Sequence, residues 1–282
     1  MKGGFYTNDL QAPGDLDQLK VTVMGLGLFG GGVGVARFLV SRGARVTVTD
    51  LREESLLAKS LARLEDLPLR FVLGKHCAAD FVDTDLVVAN PGVPPDSPYL
   101  TAAREAGVAV DSEINLTFRF LPTSRIVGIT GSNGKTTTSH LTHRMVEACG
   151  RRAWLGGNMG RSLLPALDEI GEGDVVVLEL SSFQLETLGA AGLGPRVAVV
   201  TNITPNHLDR HKTFENYVAA KAQIFNKAEA AVLNADDPLT DEIVPADGED
   251  VPADGEDVPA DGEDVPADGE DVPADGEDVP AD

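Results

Sequence analysis

No run of about 18 apolar residues occurs anywhere in the 282-residue sequence, and no basic start leads into an apolar stretch. The first absence argues against a membrane-spanning helix and the second against a secretory leader. A cytoplasmic protein without a membrane partner is therefore expected. Cysteine is scarce: Cys77 and Cys149 stand far apart, without the clustering of a zinc site or disulfide framework. They are expected as reduced, structural thiols. Positive charge is also short, with a net charge of −22. Most of the imbalance is local, because residues 244–282 hold 16 negative charges and no base, leaving −6 for residues 1–243. That is ordinary for a cytosolic enzyme, and no nucleic-acid partner is expected.

The acidic segment repeats Val-Pro-Ala-Asp-Gly-Glu-Asp five times and ends in a partial copy. A period of seven does not make it a coiled coil, since each copy offers only Val and Ala as apolar residues and Pro and Gly break helices. Lacking aromatics and dense in like charge, it is expected to be disordered. A truncated or frameshifted reading frame accounts for it better than an evolved functional tail.

What the chain does have is a nucleotide loop. Residues 125–138 begin as a β-branched run and end in Gly131-Ser132-Asn133-Gly134-Lys135-Thr136-Thr137, opening a helix-compatible segment. Strand, glycine loop, lysine and hydroxyl at a helix start are what cradle a nucleoside triphosphate: backbone N–H groups face the phosphates, Lys135 neutralises them, and Thr136 can ligate Mg²⁺. The strict pattern asks for Gly where Ile129 stands.

A second glycine loop lies upstream. Residues 20–24 read as a strand, followed by Gly25-Leu26-Gly27-Leu28-Phe29-Gly30 and a helix-like run to Ser41. The next strand, 45–49, delivers Asp50 twenty residues after Gly30. This is a dinucleotide fingerprint in its βαβ setting, and alone it would suggest a dehydrogenase. Nothing downstream supplies hydride chemistry. Gly31, Gly32 and Gly34 are costly in a helix start, by about 1 kcal/mol each against Ala, and read as sites of close backbone packing.

Further chemistry sits where strands end. Residues 174–179 form an apolar strand ending in Glu179, the place for a Mg²⁺-directed acid at the carboxyl end of a parallel strand, or else for a helix-capping acid. His207 follows the strand at 196–202, and Lys221 lies on an amphipathic helix, 214–226. By themselves these two would pass for a surface histidine and a solvated lysine. Gly92 in a Pro-Gly turn and Asn158 between glycines would pass for turn residues.

The run Gly-Ile-Thr-Gly-Ser-Asn-Gly-Lys-Thr-Thr, with Leu-Ser-Ser-Phe-Gln-Leu-Glu at 180–186 and Tyr-x-Ala-Ala-Lys at 217–221, resembles the Mur ligase family, amide-forming ligases of peptidoglycan synthesis. The likeness is strongest to its D-glutamate-adding branch and covers residues 20–240. Folylpolyglutamate synthases share the loop, but the N-terminal glycine-loop domain argues against them.

The resemblance implies an α/β protein: a Rossmann-like UDP-substrate domain (1–122), an incomplete P-loop parallel-sheet ATPase domain (123–243) and the repeat tail (244–282). It implies ATP, two Mg²⁺ ions, UDP-N-acetylmuramoyl-L-alanine and D-glutamate as ligands of a monomer. Leu28 and Phe29 would lie near uracil, with Asp50, Leu51 and Arg52 around the uridine and its phosphates. Gly92 would border the diphosphate, and Asn158, Ser181 and Gln184 would contact substrate. Thr136 and Glu179 would hold the first Mg²⁺, and His207 and a carbamylated Lys221 the second. ATP would phosphorylate the alanyl carboxylate, and the amine of D-glutamate would then attack the acyl phosphate. A truncated, non-catalytic remnant that binds the UDP-sugar and nucleotide stands as the alternative.

Overall fold

The computed structural model describes residues 10–28, 30–158 and 162–245. Phe29 and the repeat from 246 onward lie outside them, so the expectations placed on uracil contact by Phe29 and on tail disorder are not addressed.

Two parallel five-stranded sheets follow one another along the chain. The first is ordered β3-β2-β1-β4-β5, from β1 (Lys20–Met24), β2 (Arg45–Asp50), β3 (Arg70–Leu73), β4 (Leu86–Ala89) and β5 (Ala109–Ser112). Parallel neighbours need crossovers, which α1 (Gly31–Ser41), α2 (Glu54–Leu61), α3 (Ala79–Val82) and α4 (Pro98–Glu105) supply. Helix α5 (Glu113–Phe120), capped by Ser112 accepting from the Asn115 N–H, leads to the second sheet. That sheet is ordered β10-β9-β6-β8-β7, from β6 (Ile126–Thr130), β7 (Ala153–Gly157), β8 (Val175–Glu179), β9 (Val197–Val200) and β10 (Ala230–Val232). Its helices are α6 (Lys135–Ala148), α7 (Ser182–Ala190), α8 (Leu208–His211), α9 (Phe214–Ala222) and α10 (Leu239–Glu242).

Strands buried on both faces should be continuously apolar, and β4 is, as is β8 up to its final Glu179. One apolar cluster runs through both sheets, from Val21, Val23 and Leu39 through Leu116 and Phe120 to Val176, Leu178 and Leu185. Polar ties cross the same seam: Asn115 Nδ2 donates to the Thr187 carbonyl at 3.1 Å, and Ser162 Oγ to Glu113 Oε1 at 2.6 Å.

Two of the three helix-start glycines have a packing reason. A Cβ on Gly32 would lie 2.3 Å from the Leu26 carbonyl oxygen, and one on Gly34 would lie 2.7 Å from Ser162 Cβ, across the seam. Around Gly31 there is open space. The cysteines differ from expectation: Cys77 and Cys149 are both free and exposed, so neither is a packed structural thiol. Helix α9 also stops at Ala222, and a 3-10 turn over Gln223–Phe225 replaces its expected last turn.

Candidate active site

Strand β6 is the middle strand of the second sheet, and its carboxyl end delivers the nucleotide loop. Two glycines make the loop possible. Gly131 has φ +146° with Thr201 Oγ1 2.0 Å from where a Cβ would be, and Gly134 has φ +80° as N-cap of α6. The loop is tied down by its neighbours. Ser132 Oγ lies 2.8 Å from the Thr204 carbonyl and 2.9 Å from the Tyr217 hydroxyl, and the Asn133 N–H donates to Asn202 Oδ1 at 2.9 Å. Helix α6 has no side-chain cap, so its first-turn N–H groups at Lys135, Thr136 and Thr137 are available to an anion at the loop.

Lys135 folds back over the loop, with Nζ donating to the carbonyls of Gly131 and Ser132 at 2.8 and 2.9 Å. Burial lowers its pKa against the opposing pull of Glu179. Glu179 ends β8 beside Ile129 and is buried. Its Oε2 accepts from Thr136 Oγ1 at 2.6 Å and its Oε1 from Asn158 Nδ2 at 3.0 Å. It is no helix cap, because Ser181 caps α7 in a reciprocal box with Gln184. A hydroxyl and a carboxylate in contact at a phosphate loop are the hard oxygen donors that Mg²⁺ takes, so these two residues fit a first cation.

The residues expected at a second cation are not gathered as they stand. Lys221 is 1% exposed, and its Nζ donates to the Gly131 carbonyl at 2.9 Å and to Thr130 Oγ1 at 3.2 Å. Burial, reinforced by the charge of Lys135, lowers its pKa to about 7. An amine bonded this way ligates no cation, whereas its carbamate would. His207 opens α8 in the left-handed region, φ +55°, with its ring centroid 5.1 Å from that of Phe183. Among the described residues, no group of three or more His, Cys, Asp or Glu side chains converges on one point.

A cleft of about 1100 Å³ is linked to this loop through Asn158, which lines it and bonds Glu179. Its far end is the first sheet's glycine turn with Leu28, Asp50, Leu51 and Arg52, its middle is the Pro91–Gly92 turn, and its near end is Asn158, Phe183 and Gln184. Leu28 and Leu51 are 52% and 64% exposed, apolar surfaces held open at the cleft mouth. Asp50 is already engaged: Oδ2 accepts from the Gly27 N–H at 3.0 Å and Oδ1 from the Arg52 N–H at 2.9 Å. Ser181 does not line the cleft but caps α7.

Sequence reasoning missed three parts of this surface. His76 and Tyr99 line the cleft with ring centroids 5.0 Å apart, and Arg210 lies 3.9 Å from the Phe183 ring centroid. None sits in a glycine loop or at a strand end, so no local pattern marks them. His211 is buried between Ser182 Oγ at 2.9 Å and Glu186 Oε1 at 3.2 Å. These are triad-like distances, but Ser182 is buried as well, and the three side chains clamp α8 to α7.

Comparison with known proteins accords with this geometry. Residues 19–112 match the N-terminal domain of MurD-like Mur ligases, and residues 129–251 match the Mur ligase middle domain. The chain is 51% identical over 220 residues to UDP-N-acetylmuramoylalanine–D-glutamate ligase of Geobacter metallireducens, covering 77% of this chain and 48% of that protein. It is 49% identical over 223 residues to the ligase of the same name from Roseiflexus sp., covering 78% and 48%. The chain thus spans about half the length of these curated relatives. The solved UDP-N-acetylmuramate–alanine ligase of Thermotoga maritima shares the fold at 23% identity and TM-score 0.53, over 80% of this chain and 51% of that one. With an N-terminal and a middle domain of one family matched in chain order over two parallel sheets, the chain belongs to the Mur ligase family.

Proposed function

We propose that this chain carries the UDP-substrate cleft and the nucleotide-phosphate site of an ATP-dependent amide ligase that joins D-glutamate to UDP-N-acetylmuramoyl-L-alanine. The observation that carries this reading is the Asn158–Glu179 hydrogen bond, 3.0 Å, which joins the near end of the cleft to the phosphate loop. A substrate with its uridine between Leu28 and Leu51 and its diphosphate along the Pro91–Gly92 turn brings its far carboxylate to Asn158, beside the nucleotide phosphates.

In this reading the Lys135 ammonium and the free N–H groups of α6 neutralise the γ-phosphate as it passes to the alanyl carboxylate. An acyl–phosphate bond forms, the β–γ bridge breaks, and ADP leaves. Attack by the D-glutamate amine forms the amide and expels phosphate. Thr136 and Glu179 would hold a Mg²⁺ ion, which supplies charge neutralisation at the phosphoryl oxygens when bound. His207 and carbamylated Lys221 are the proposed holders of a second. The match of residues 19–112 to a MurD-like N-terminal domain favours a UDP compound over NAD at the first glycine turn. A cytoplasmic monomer belongs to the same proposal; among the described residues, no helix is long and apolar enough to cross a membrane.

The test is phosphate release from ATP with UDP-N-acetylmuramoyl-L-alanine, with and without D-glutamate. Release that depends on D-glutamate and disappears in Lys135→Ala supports the ligase. A second reading is binding of the UDP compound and nucleotide without turnover. It predicts calorimetric binding of the UDP compound with no phosphate release.

A further inference from the structure

Helix α8 is only four residues long, yet it reaches three places. It opens with His207 beside the cleft residue Phe183, and it ends with His211, clamped by Ser182 and Glu186. Between them Arg210 lays its guanidinium on the Phe183 ring, and its Nη1 donates to the Pro91 carbonyl at 2.6 Å. Pro91 belongs to the turn after β4 in the first sheet, whereas Arg210 follows β9 in the second. One side chain therefore crosses the seam and grips the cleft wall.

The grip is costly to maintain and is not fully satisfied. Arg210 Nε is buried with no hydrogen-bond partner among the described residues. Burial lowers the guanidinium pKa, offset by the carboxylates of Glu186, Asp96 and Asp209. Arginine stays charged under such a shift, so a partly desolvated cation is held here by a ring face and one carbonyl.

We propose that Arg210 is a positioning residue that couples the two sites, so that nucleotide at the phosphate loop changes the affinity of the UDP-substrate cleft. The inference rests on the functional reading above. A nucleotide whose second cation is held by His207 shifts α8, and Arg210 transmits the shift to the Pro91–Gly92 wall. By linkage the effect is reciprocal.

The experiment is calorimetry on the whole chain. UDP-N-acetylmuramoyl-L-alanine is titrated alone and at saturating Mg²⁺ with a non-hydrolysable ATP analogue, for wild type, Arg210→Ala and Arg210→Lys. Wild type is expected to show a change in Kd of roughly fivefold or more between the two conditions. In Arg210→Ala that ratio falls to about one while the nucleotide analogue alone still binds, a result that general loosening of the fold would not give. Arg210→Lys keeps the charge and a donor but not the planar stack, and retains part of the ratio. If Arg210→Ala fails to fold, the lysine variant decides: a ratio below wild type supports coupling, and an unchanged ratio overturns it. A wild-type ratio of one, with both ligands bound, overturns the coupling and leaves the functional reading intact. Failure of wild type to bind the UDP compound at all overturns both.

Discussion

Lys135 and Lys221 share one acceptor: their side-chain nitrogens both donate to the carbonyl oxygen of Gly131, at 2.8 and 2.9 Å. Two ammonium groups this close repel, and the more buried one yields its proton more readily. Lys221 is that one, with a pKa of about 7 set first by burial and then by Lys135. Near neutral pH a large share of Lys221 is therefore the free amine, the form that adds CO₂.

Carbamylation of Lys221 should accordingly rise with pH through about 7. Isotopically labelled bicarbonate should give a carbamate carbonyl resonance in NMR that Lys221→Ala abolishes. Lys135→Ala removes the like charge, raises the Lys221 pKa and moves the onset to higher pH. An onset unmoved by Lys135→Ala would contradict the assigned cause.

Asp50 holds the first glycine turn through the Gly27 and Arg52 N–H groups. Asp50→Ala leaves both donors without their partner and should weaken UDP-substrate binding by about 1–3 kcal/mol, read by calorimetry. NAD binding tighter than that of the UDP compound in wild type would contradict the reading of this turn.

Glycine at 131 is required by both conformation and space. Gly131→Ala places a methyl 2.0 Å from Thr201 Oγ1 at a φ of +146°. A loss of about 2–4 kcal/mol in chemical unfolding is expected. Gly31→Ala, at a helical position with open space around it, should stabilise by up to about 1 kcal/mol. Equal effects at the two positions would refute the packing argument.

His211 is held neutral, with its pKa lowered from 6.5 to about 4 first by burial and then by the charges of Arg210, His207 and Lys221. The unfolded chain binds this proton more readily than the folded one. His211 therefore contributes stability above pH 6.5 that is lost as pH falls toward 4. Between those limits the thermal midpoint of wild type should fall more steeply with acid than that of His211→Gln. Parallel slopes would show that His211 titrates normally.

Much of this was legible because glycine loops and strand ends are local. Gly25–Gly30 after β1 and Gly131–Thr137 after β6 each encode a strand end and a turn within a few residues, and Asp50 and Glu179 each end a strand of the same sheet. The strand at 20–24 was legible to the residue, from its apolar run ahead of the glycine loop. What escaped the sequence is non-local. Arg210 meets Pro91 over 119 residues of chain, and His76 meets Tyr99 because the segments that follow β3 and β4 line the same cleft. The exposure of Cys77 and Cys149 was likewise unreadable, since neither lies in a periodic apolar segment.

The central claim is that one cleft and one phosphate loop, joined at Asn158 and Glu179, hold a UDP-sugar peptide and ATP together. It is tested most directly by titrating the whole chain with UDP-N-acetylmuramoyl-L-alanine and with Mg²⁺ and the non-hydrolysable ATP analogue, in wild type and in Lys135→Ala. Wild type should bind both ligands at once, and Lys135→Ala should lose the nucleotide while retaining the UDP compound. Nucleotide binding unaffected by Lys135→Ala, or no binding of the UDP compound by wild type, would contradict the account.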